Sequence, residues 1–214
     1  STINVKKAKE YTNAFSINLL VGISKNERSL ALAGISNVIA NNATGLQIAS
    51  VSNYIGNAGY GIEVAGVTNI NKGSYNGIQA SGVYNYSGSG NGIAVAGVAN
   101  MSKGSYNGLQ LSGVTNIAGD VKGLQFAGVM NIAKNVKGVQ FATILNVAEE
   151  SNFPIAFINI IKNGKMGVAL SYDNMNNTML SFRSGGKYTY GILGVGYNNK
   201  VNDGSNIVAE AGYG

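Results

Sequence analysis

Hydrophobic and polar positions recur with a period of 15 to 16 residues over residues 29–162. A typical unit has a glycine, an aliphatic residue, a polar residue, another apolar residue, a pair of small residues, valine, a variable residue and asparagine. The segments GIEVAGVTNI, GLQLSGVTNI and GLQFAGVMNI show this order from Gly61, Gly108 and Gly123. Self-similarity at one period is typical of repeat architectures. With degenerate copies at both ends, LALAGISNVI and PIAFINII, about nine units follow one another.

Two polar columns stand out when the units are aligned. The asparagine that ends each unit is present in all nine: Asn37, Asn53, Asn69, Asn85, Asn100, Asn116, Asn131, Asn146 and Asn159. The polar position near the start of the unit is mostly glutamine, with Glu63 and Ala94 as departures: Gln47, Glu63, Gln79, Gln110, Gln125 and Gln140. An asparagine column of this kind indicates a structural role, because a buried amide is costly unless neighbouring units supply partners.

The pattern favours an all-β fold in which each unit is one coil of a β-solenoid. Alternation along the first strand predicts that its aliphatic residues point inward and its glutamine points outward. The small pair would turn a corner, after which valine and asparagine would point inward. Stacked asparagines about 4.8 Å apart would then form a hydrogen-bonded ladder.

A rival architecture fits part of the same pattern. Each unit could be one strand of an outer-membrane-type β-barrel, because about ten alternating residues match the length of a membrane-spanning strand. The uniformly short turns and the valine on the lumen side argue against this alternative. We therefore predict a solenoid of about nine coils, with a barrel or part of one as the alternative.

Changes in the pattern divide the chain into three parts. Residues 1–28 contain an alternating apolar stretch that we expect to cap the first coil, since solenoids need capped ends. Residues 29–162 form the repeat. Residues 163–214 lose the repeat and alternate in the manner of antiparallel hairpin strands, with Asn, Gly and Asp at the turns. This last part is also the candidate start of a longer barrel-like region.

Composition excludes much chemistry. The 214 residues include 31 glycines and one proline but no cysteine, histidine or tryptophan, and charged residues make up 11%. Catalysis by cysteine, Ser-His-Asp triads and sites with His or Cys metal ligands all need absent residues. The glycine-rich stretches belong to the repeat or to hairpins, without the strand-turn-helix context of a nucleotide loop. We therefore predict no catalytic residue, no metal site and no cofactor.

The charges suggest little about partners. The net charge is +6, but the basic residues form no tract of the kind that nucleic-acid binding needs, so we predict no nucleic-acid partner. Lysines of the repeat fall in the polar turns between units, which predicts one basic edge: Lys72, Lys103, Lys122, Lys134 and Lys137. The glutamine column, if outward, would form a regular polar face with a glycan or a protein as its conceivable ligand.

Several segments resemble a known family. The opening EYTNAFSINLLVGISKNERSLALAGISNVI, the tandem GLQ-x-AGV-x-N units, the exit FPIAFINIIKNGKMGVALSYDN and LSFRSGGKYTYGILGVGYNNK are similar to surface-repeat proteins of Gram-negative bacteria. Repeats of that family read G-[LF]-Q-x-A-G-L-x-N over about 15 residues. The resemblance implies an exported protein at the outer membrane or cell surface. It implies no activity, and it leaves the ligand and the oligomeric state open.

These observations lead to one functional expectation. We expect a non-catalytic repeat protein of the bacterial surface or envelope, with a structural or binding role. An outer-membrane β-barrel protein is the alternative.

Overall fold

A solenoid of stacked coils makes up most of the molecule. The computed structural model describes residues 5–200 and 206–214. Coils run from Thr12 to Ile161, and a separate antiparallel sheet follows from Met166. A four-residue helix, α1 (Val5–Ala8), precedes the first coil and is the only helix among the described residues. The all-β solenoid predicted from the repeat is confirmed.

Each coil contains two strands on opposite sides, which we call the long face and the short face. The long face carries the glutamine column and consists of β1 (Thr12–Asn18), β3 (Asn26–Ala33), β5 (Ala43–Ala49), β7 (Gly59–Ala65), β11 (Tyr106–Ser112), β13 (Asp120–Ala127), β15 (Asn135–Ala142) and β17 (Glu150–Ile155). The short face carries the asparagine column and consists of β2 (Val21–Ser24), β4 (Ser36–Ile39), β6 (Ser52–Ile55), β10 (Ala99–Ser102), β12 (Thr115–Ile117), β14 (Met130–Ile132), β16 (Leu145–Ala148) and β18 (Ile158–Ile161). Two strands, β8 (Thr68–Ser81) and β9 (Tyr84–Ala96), continue from the short face through the turn onto the long face.

Neighbouring coils pair in parallel and in register. Asn53 lies opposite Asn69, and Gly61 lies opposite Gly77, so equivalent residues of the repeat stack on one another. Parallel pairing of consecutive units shows that the alternative of an outer-membrane-type barrel is wrong for the repeat. A barrel of that type needs consecutive strands to run antiparallel.

The stack begins earlier than the repeat pattern suggested. Strands β1 and β2 pair in parallel with β3 and β4, in the same way that later coils pair. The segment expected to cap the solenoid therefore contains a coil of its own, and the described residues form ten coils rather than nine. The repeat pattern did not reveal this first coil, because Gly22 occupies the position of the asparagine column, opposite Asn37.

Glycine at the start of each repeat is required by the backbone. From Gly45 to Gly138, seven of these glycines have φ between 89° and 150°. A Cβ on Gly61 would collide with the carbonyl oxygen of Gly45 in the preceding coil. Side chains disfavour such φ values, so glycine permits both the conformation and the close stacking.

The C-terminal sheet covers the last coil. Its strands are β19 (Met166–Tyr172), β20 (Asn177–Gly185), β21 (Tyr190–Asn198) and β22 (Ile207–Tyr213), paired antiparallel in chain order as predicted. Ser184 Oγ accepts a hydrogen bond from the backbone N–H of Asn159 (3.2 Å), and the rings of Phe153 and Tyr188 stack with centroids 5.2 Å apart. The sheet thereby closes the C-terminal end of the stack.

Candidate binding surface and polar interior

The asparagine column forms an unbroken ladder inside the solenoid. Each amide from Asn37 onward donates Nδ2–H to Oδ1 of the asparagine in the next coil, ending at Asn159. The eight bonds measure 2.9–3.0 Å, and every member of the column is buried. All the amides point the same way, so each bond polarises its neighbours.

The same amides tie the two faces together. Asn53 Nδ2 also donates to the carbonyl oxygen of Val64 (2.9 Å), and Asn116 Nδ2 donates to that of Phe126 (2.7 Å). The seven asparagines from Asn37 to Asn131 therefore each link the short face of their own coil to the long face of the next coil. This link holds the two backbones close together and leaves a narrow interior.

The predicted outward polar face is wrong, because all of its members are 0–1% exposed and point into the interior: Gln47, Glu63, Gln79, Gln110, Gln125 and Gln140. Aliphatic residues predicted to point inward lie outside, for example Ile62 and Val64 on either side of Glu63. The predicted inward valine is exposed as well. On the long face the interior is filled by amides and by alanines such as Ala49 and Ala65. Branched side chains are buried near the charged turns instead, for example Val121 and Val136.

Hydrogen bonds divide the glutamine column into two runs, which we call the first run (Gln47, Glu63, Gln79) and the second run (Gln110, Gln125, Gln140). Gln125 Nε2 donates to Gln110 Oε1 (2.8 Å), and Gln140 Nε2 donates to Gln125 Oε1 (3.0 Å). Gln79 Nε2 donates to Glu63 Oε2 (3.0 Å). Donation therefore runs toward the preceding coil, opposite to the asparagine ladder. Ala94 separates the runs, because it lies opposite Gln79 and Gln110.

Outside, the solenoid exposes apolar columns on both faces and on the corner that joins them. The long face carries exposed aliphatic and aromatic columns that include Ile48 and Phe141. The corner carries the valines of the repeat, with Val67, Val83 and Val98 each 42% exposed. We call these surfaces together the apolar wedge, defined by the columns of Leu46, Ile48, Val51 and Tyr54 and their equivalents in the other coils. Monomeric soluble proteins rarely expose so extended an apolar surface.

Exposed charges of residues 29–162 all lie on the opposite side, at the turn from the short face to the next long face. We call this side the charged edge. It carries six lysines and three acids: Lys72, Lys103, Lys122, Lys134, Lys137, Lys162, Asp120, Glu149 and Glu150. The five lysines that the sequence placed on one edge are among them. The only other charged residue in this range is the buried Glu63.

The apolar wedge continues into the C-terminal sheet. Phe157 stands in the corner column of the last coil, following Ile144, and is 60% exposed. Together with Val168, Phe182 and Leu193 it lines an open cavity of about 600 Å³. One face of the sheet is apolar, whereas its other face mixes small and polar residues with Met179, Ile192 and Val208. One apolar surface thus runs along both parts of the molecule.

The described residues hold no group of three or more His, Cys, Asp or Glu side chains that could bind a metal ion. Among them there is also no helix of the length and apolarity that crossing a membrane requires.

Comparison with family models found no match, and comparisons with curated proteins and with solved structures found none either. The geometry alone therefore defines the class, which is a parallel β-solenoid with a polar amide interior, an apolar wedge and a C-terminal antiparallel sheet.

Proposed function

We propose that the chain is a non-catalytic repeat protein of the Gram-negative cell surface or envelope, with a binding role that its outer surface performs. The observation that carries this proposal is the segregation of the exterior into an apolar wedge and a charged edge. The surface-repeat motifs support the location. The acids support a non-catalytic role, because they are dispersed along the chain and no group of three gathers at one point among the described residues.

We propose the lipid of the outer membrane as the surface that the apolar wedge contacts. The wedge is convex and occupies two faces and the corner between them, so one flat protein surface could cover only part of it. A lipid layer can surround a convex apolar body while the charged edge stays in water. Backbone groups along the faces are paired between coils, which removes the main cost of contact with hydrocarbon.

Flotation with lipid vesicles tests this proposal. Purified protein is mixed with vesicles of a zwitterionic phospholipid, without detergent, and centrifuged through a density gradient. We expect the protein to rise with the vesicles. The variant Val98→Lys/Val114→Lys/Val129→Lys puts three charges on the corner of consecutive coils, and we expect it to stay in the dense fractions.

A matched control carries the same added charge on the charged edge. Asn76, Asn91 and Asn107 stand in the column that continues with Lys122 and Lys137, so lysine fits there. Asn76→Lys/Asn91→Lys/Asn107→Lys should float like the parent chain. Equal flotation of both triple variants would contradict the proposal. If the parent chain fails to float but forms oligomers that the corner variant dissociates, the wedge binds a second copy instead of lipid.

A further inference from the structure

Glu63 is the one carboxyl group in the column of interior amides. Its side chain is fully buried and accepts hydrogen bonds from Asn71 Nδ2 (2.9 Å to Oε1 and 2.7 Å to Oε2) and from Gln79 Nε2. A glutamine at this position could make the same contact with Gln79 through its oxygen. What a glutamate lacks is the N–H that faces the preceding coil.

The preceding coil contains an acceptor that has no hydrogen-bond donor. In the second run, each glutamine donates to Oε1 of the glutamine before it. Gln47 lies opposite Glu63, and its Oε1 is buried without a hydrogen-bond partner. Its Nε2 is oriented away, since it donates to the carbonyl oxygen of Thr44 (3.0 Å). A buried acceptor without a donor costs about 1–3 kcal/mol.

We propose that Glu63 binds a proton in the folded chain and donates it to Gln47 Oε1, so that a carboxylic acid takes the place of an amide in the first run. In this state Glu63 donates toward the preceding coil and accepts from Gln79, as Gln125 does between Gln110 and Gln140. This inference concerns the interior and does not depend on the proposed function.

Two other buried amide oxygens lack a partner, and neither is placed like Gln47 Oε1. Asn71 Oδ1 is one of them, but Asn71 already faces Glu63 with Nδ2, which donates to both carboxyl oxygens. Gln140 Oε1 is unsatisfied too, but for a different reason, because Pro154 occupies the next coil and offers no donor. Gln47, in contrast, has the side chain of Glu63 beside it, and a proton on Glu63 would supply the missing donor.

No cation faces Glu63 from the strands packed against it. Strands β5 and β6 present Gln47 and Asn53, and β8 presents Asn71 and Gln79. Tyr75 on β8 is the only titratable group there, and Glu27, the next carboxyl group along the interior, lies two coils away. Burial raises the pKa of Glu63 from 4.5 to about 7, and the hydrogen bonds from Asn71 and Gln79 lower it only in part.

The bound proton makes stability depend on pH. Below pH 4.5 the carboxyl group is protonated in both the folded and the unfolded chain. Between pH 4.5 and about 7 only the folded chain keeps the proton, so stability falls as pH rises. Each pH unit in this window shifts the folding equilibrium about tenfold toward the unfolded chain. Above pH 7 this contribution becomes constant.

Carbon-13 NMR of protein labelled at the glutamate carboxyl carbons measures the proton directly. The resonance that disappears in Glu63→Gln belongs to Glu63, and we expect its titration midpoint near pH 7. A midpoint near 4.5 would overturn the proposal. If Glu63→Gln fails to fold, Glu63→Asp serves for the assignment, because it removes the same glutamate resonance and keeps a carboxyl group.

Denaturant unfolding at pH 5 and pH 8 provides the second test. We expect the parent chain to be more stable at pH 5 and Glu63→Gln to lose most of this difference. As a matched variant, Gln125→Glu creates the same setting between Gln110 and Gln140 and should gain a similar pH dependence. Glu63→Gln with an unchanged pH dependence, or Gln125→Glu with none, would contradict the proposal.

Discussion

The two runs of the glutamine column occupy the same position of the repeat but differ in their chemistry. In the second run two hydrogen bonds join three amides in one direction, and the inward residues beside them, such as Val121 and Val136, are apolar. In the first run a carboxyl group stands between two amides, and Asn71 and Tyr75 lie beside it. The comparison teaches that the repeat tolerates a change of side chain where hydrogen-bond donors and acceptors still match from coil to coil.

The largest expected effect tests the ladder that both runs share. Asn116→Leu removes a donor to Asn131 Oδ1 and to the Phe126 carbonyl, and it removes the acceptor for Asn100 Nδ2. We expect a loss of about 4 kcal/mol in the free energy of unfolding, since several buried groups lose partners. Asn69→Leu, beside the first run, should cost a similar amount. Denaturant melts measure both, and a change of Asn116→Leu within about 0.5 kcal/mol would show that the ladder contributes little.

The second largest effect concerns the carboxyl group that distinguishes the first run from the second. At pH 8 Glu63→Gln should raise the free energy of unfolding by about 3 kcal/mol, because the raised pKa of Glu63, 4.5 to about 7, corresponds to about 1.4 kcal/mol per unit. At pH 4 the gain should nearly vanish, since the parent carboxyl group is then protonated in both states. Melts at the two pH values give the difference. A gain that does not depend on pH would mean that shape rather than charge is responsible.

A smaller effect is expected when one glutamine of either run is replaced by leucine. Gln125→Leu leaves Gln110 Oε1 without its donor and Gln140 Nε2 without its acceptor, so we expect a loss of about 2 kcal/mol at any pH. Gln47→Leu should cost as much only at pH 5, where Glu63 donates to it. At pH 8 the change should cost less. Equal costs for Gln47→Leu at both pH values would argue against the proton between Gln47 and Glu63.

The smallest effect concerns how each run is packed. Gly59 and Gly90 leave room for the rings of Tyr75 and Tyr106, and a Cβ at either glycine would meet a ring carbon of the tyrosine in the next coil. We expect Gly59→Ala and Gly90→Ala to lose about 1 kcal/mol each, as overpacking outweighs the entropy gained by removing glycine. Gly167→Ala, where a Cβ meets nothing within 4 Å, is the control. Thermal or denaturant melts that show no loss at either site would mean that the rings move aside.

Much of the fold followed from the repeat, but the direction of its faces did not. Strict alternation shows which residues share a face, and it does not show which face is buried. A shift by one residue exchanges the two faces, and the alternation of apolar and polar residues fits either assignment. Hydrophobicity then suggested aliphatic residues inside and glutamine outside, which is wrong for every coil. A usable signal was the uniformity of the two amide columns.

The polar interior, too, could be predicted from the sequence only in part. The buried asparagines were predicted, because an amide repeated at one position needs neighbours that satisfy it. Glu63 was noted only as a departure from glutamine. Its significance depends on the unsatisfied Oε1 of Gln47, which lies 16 residues away in the chain and is adjacent to Glu63 only in the stack.

The amino-acid sequence by itself determined the period, the asparagine column and the row of lysines at equivalent positions, and it favoured the parallel stack over a barrel. Only the tertiary structure decided that the coils stack in parallel, that the glutamine column lies inside, that apolar columns face outward and that residues 12–24 form a further coil. The physical reason is the narrow space between the faces, which the asparagine cross-links hold close and which no single unit reveals.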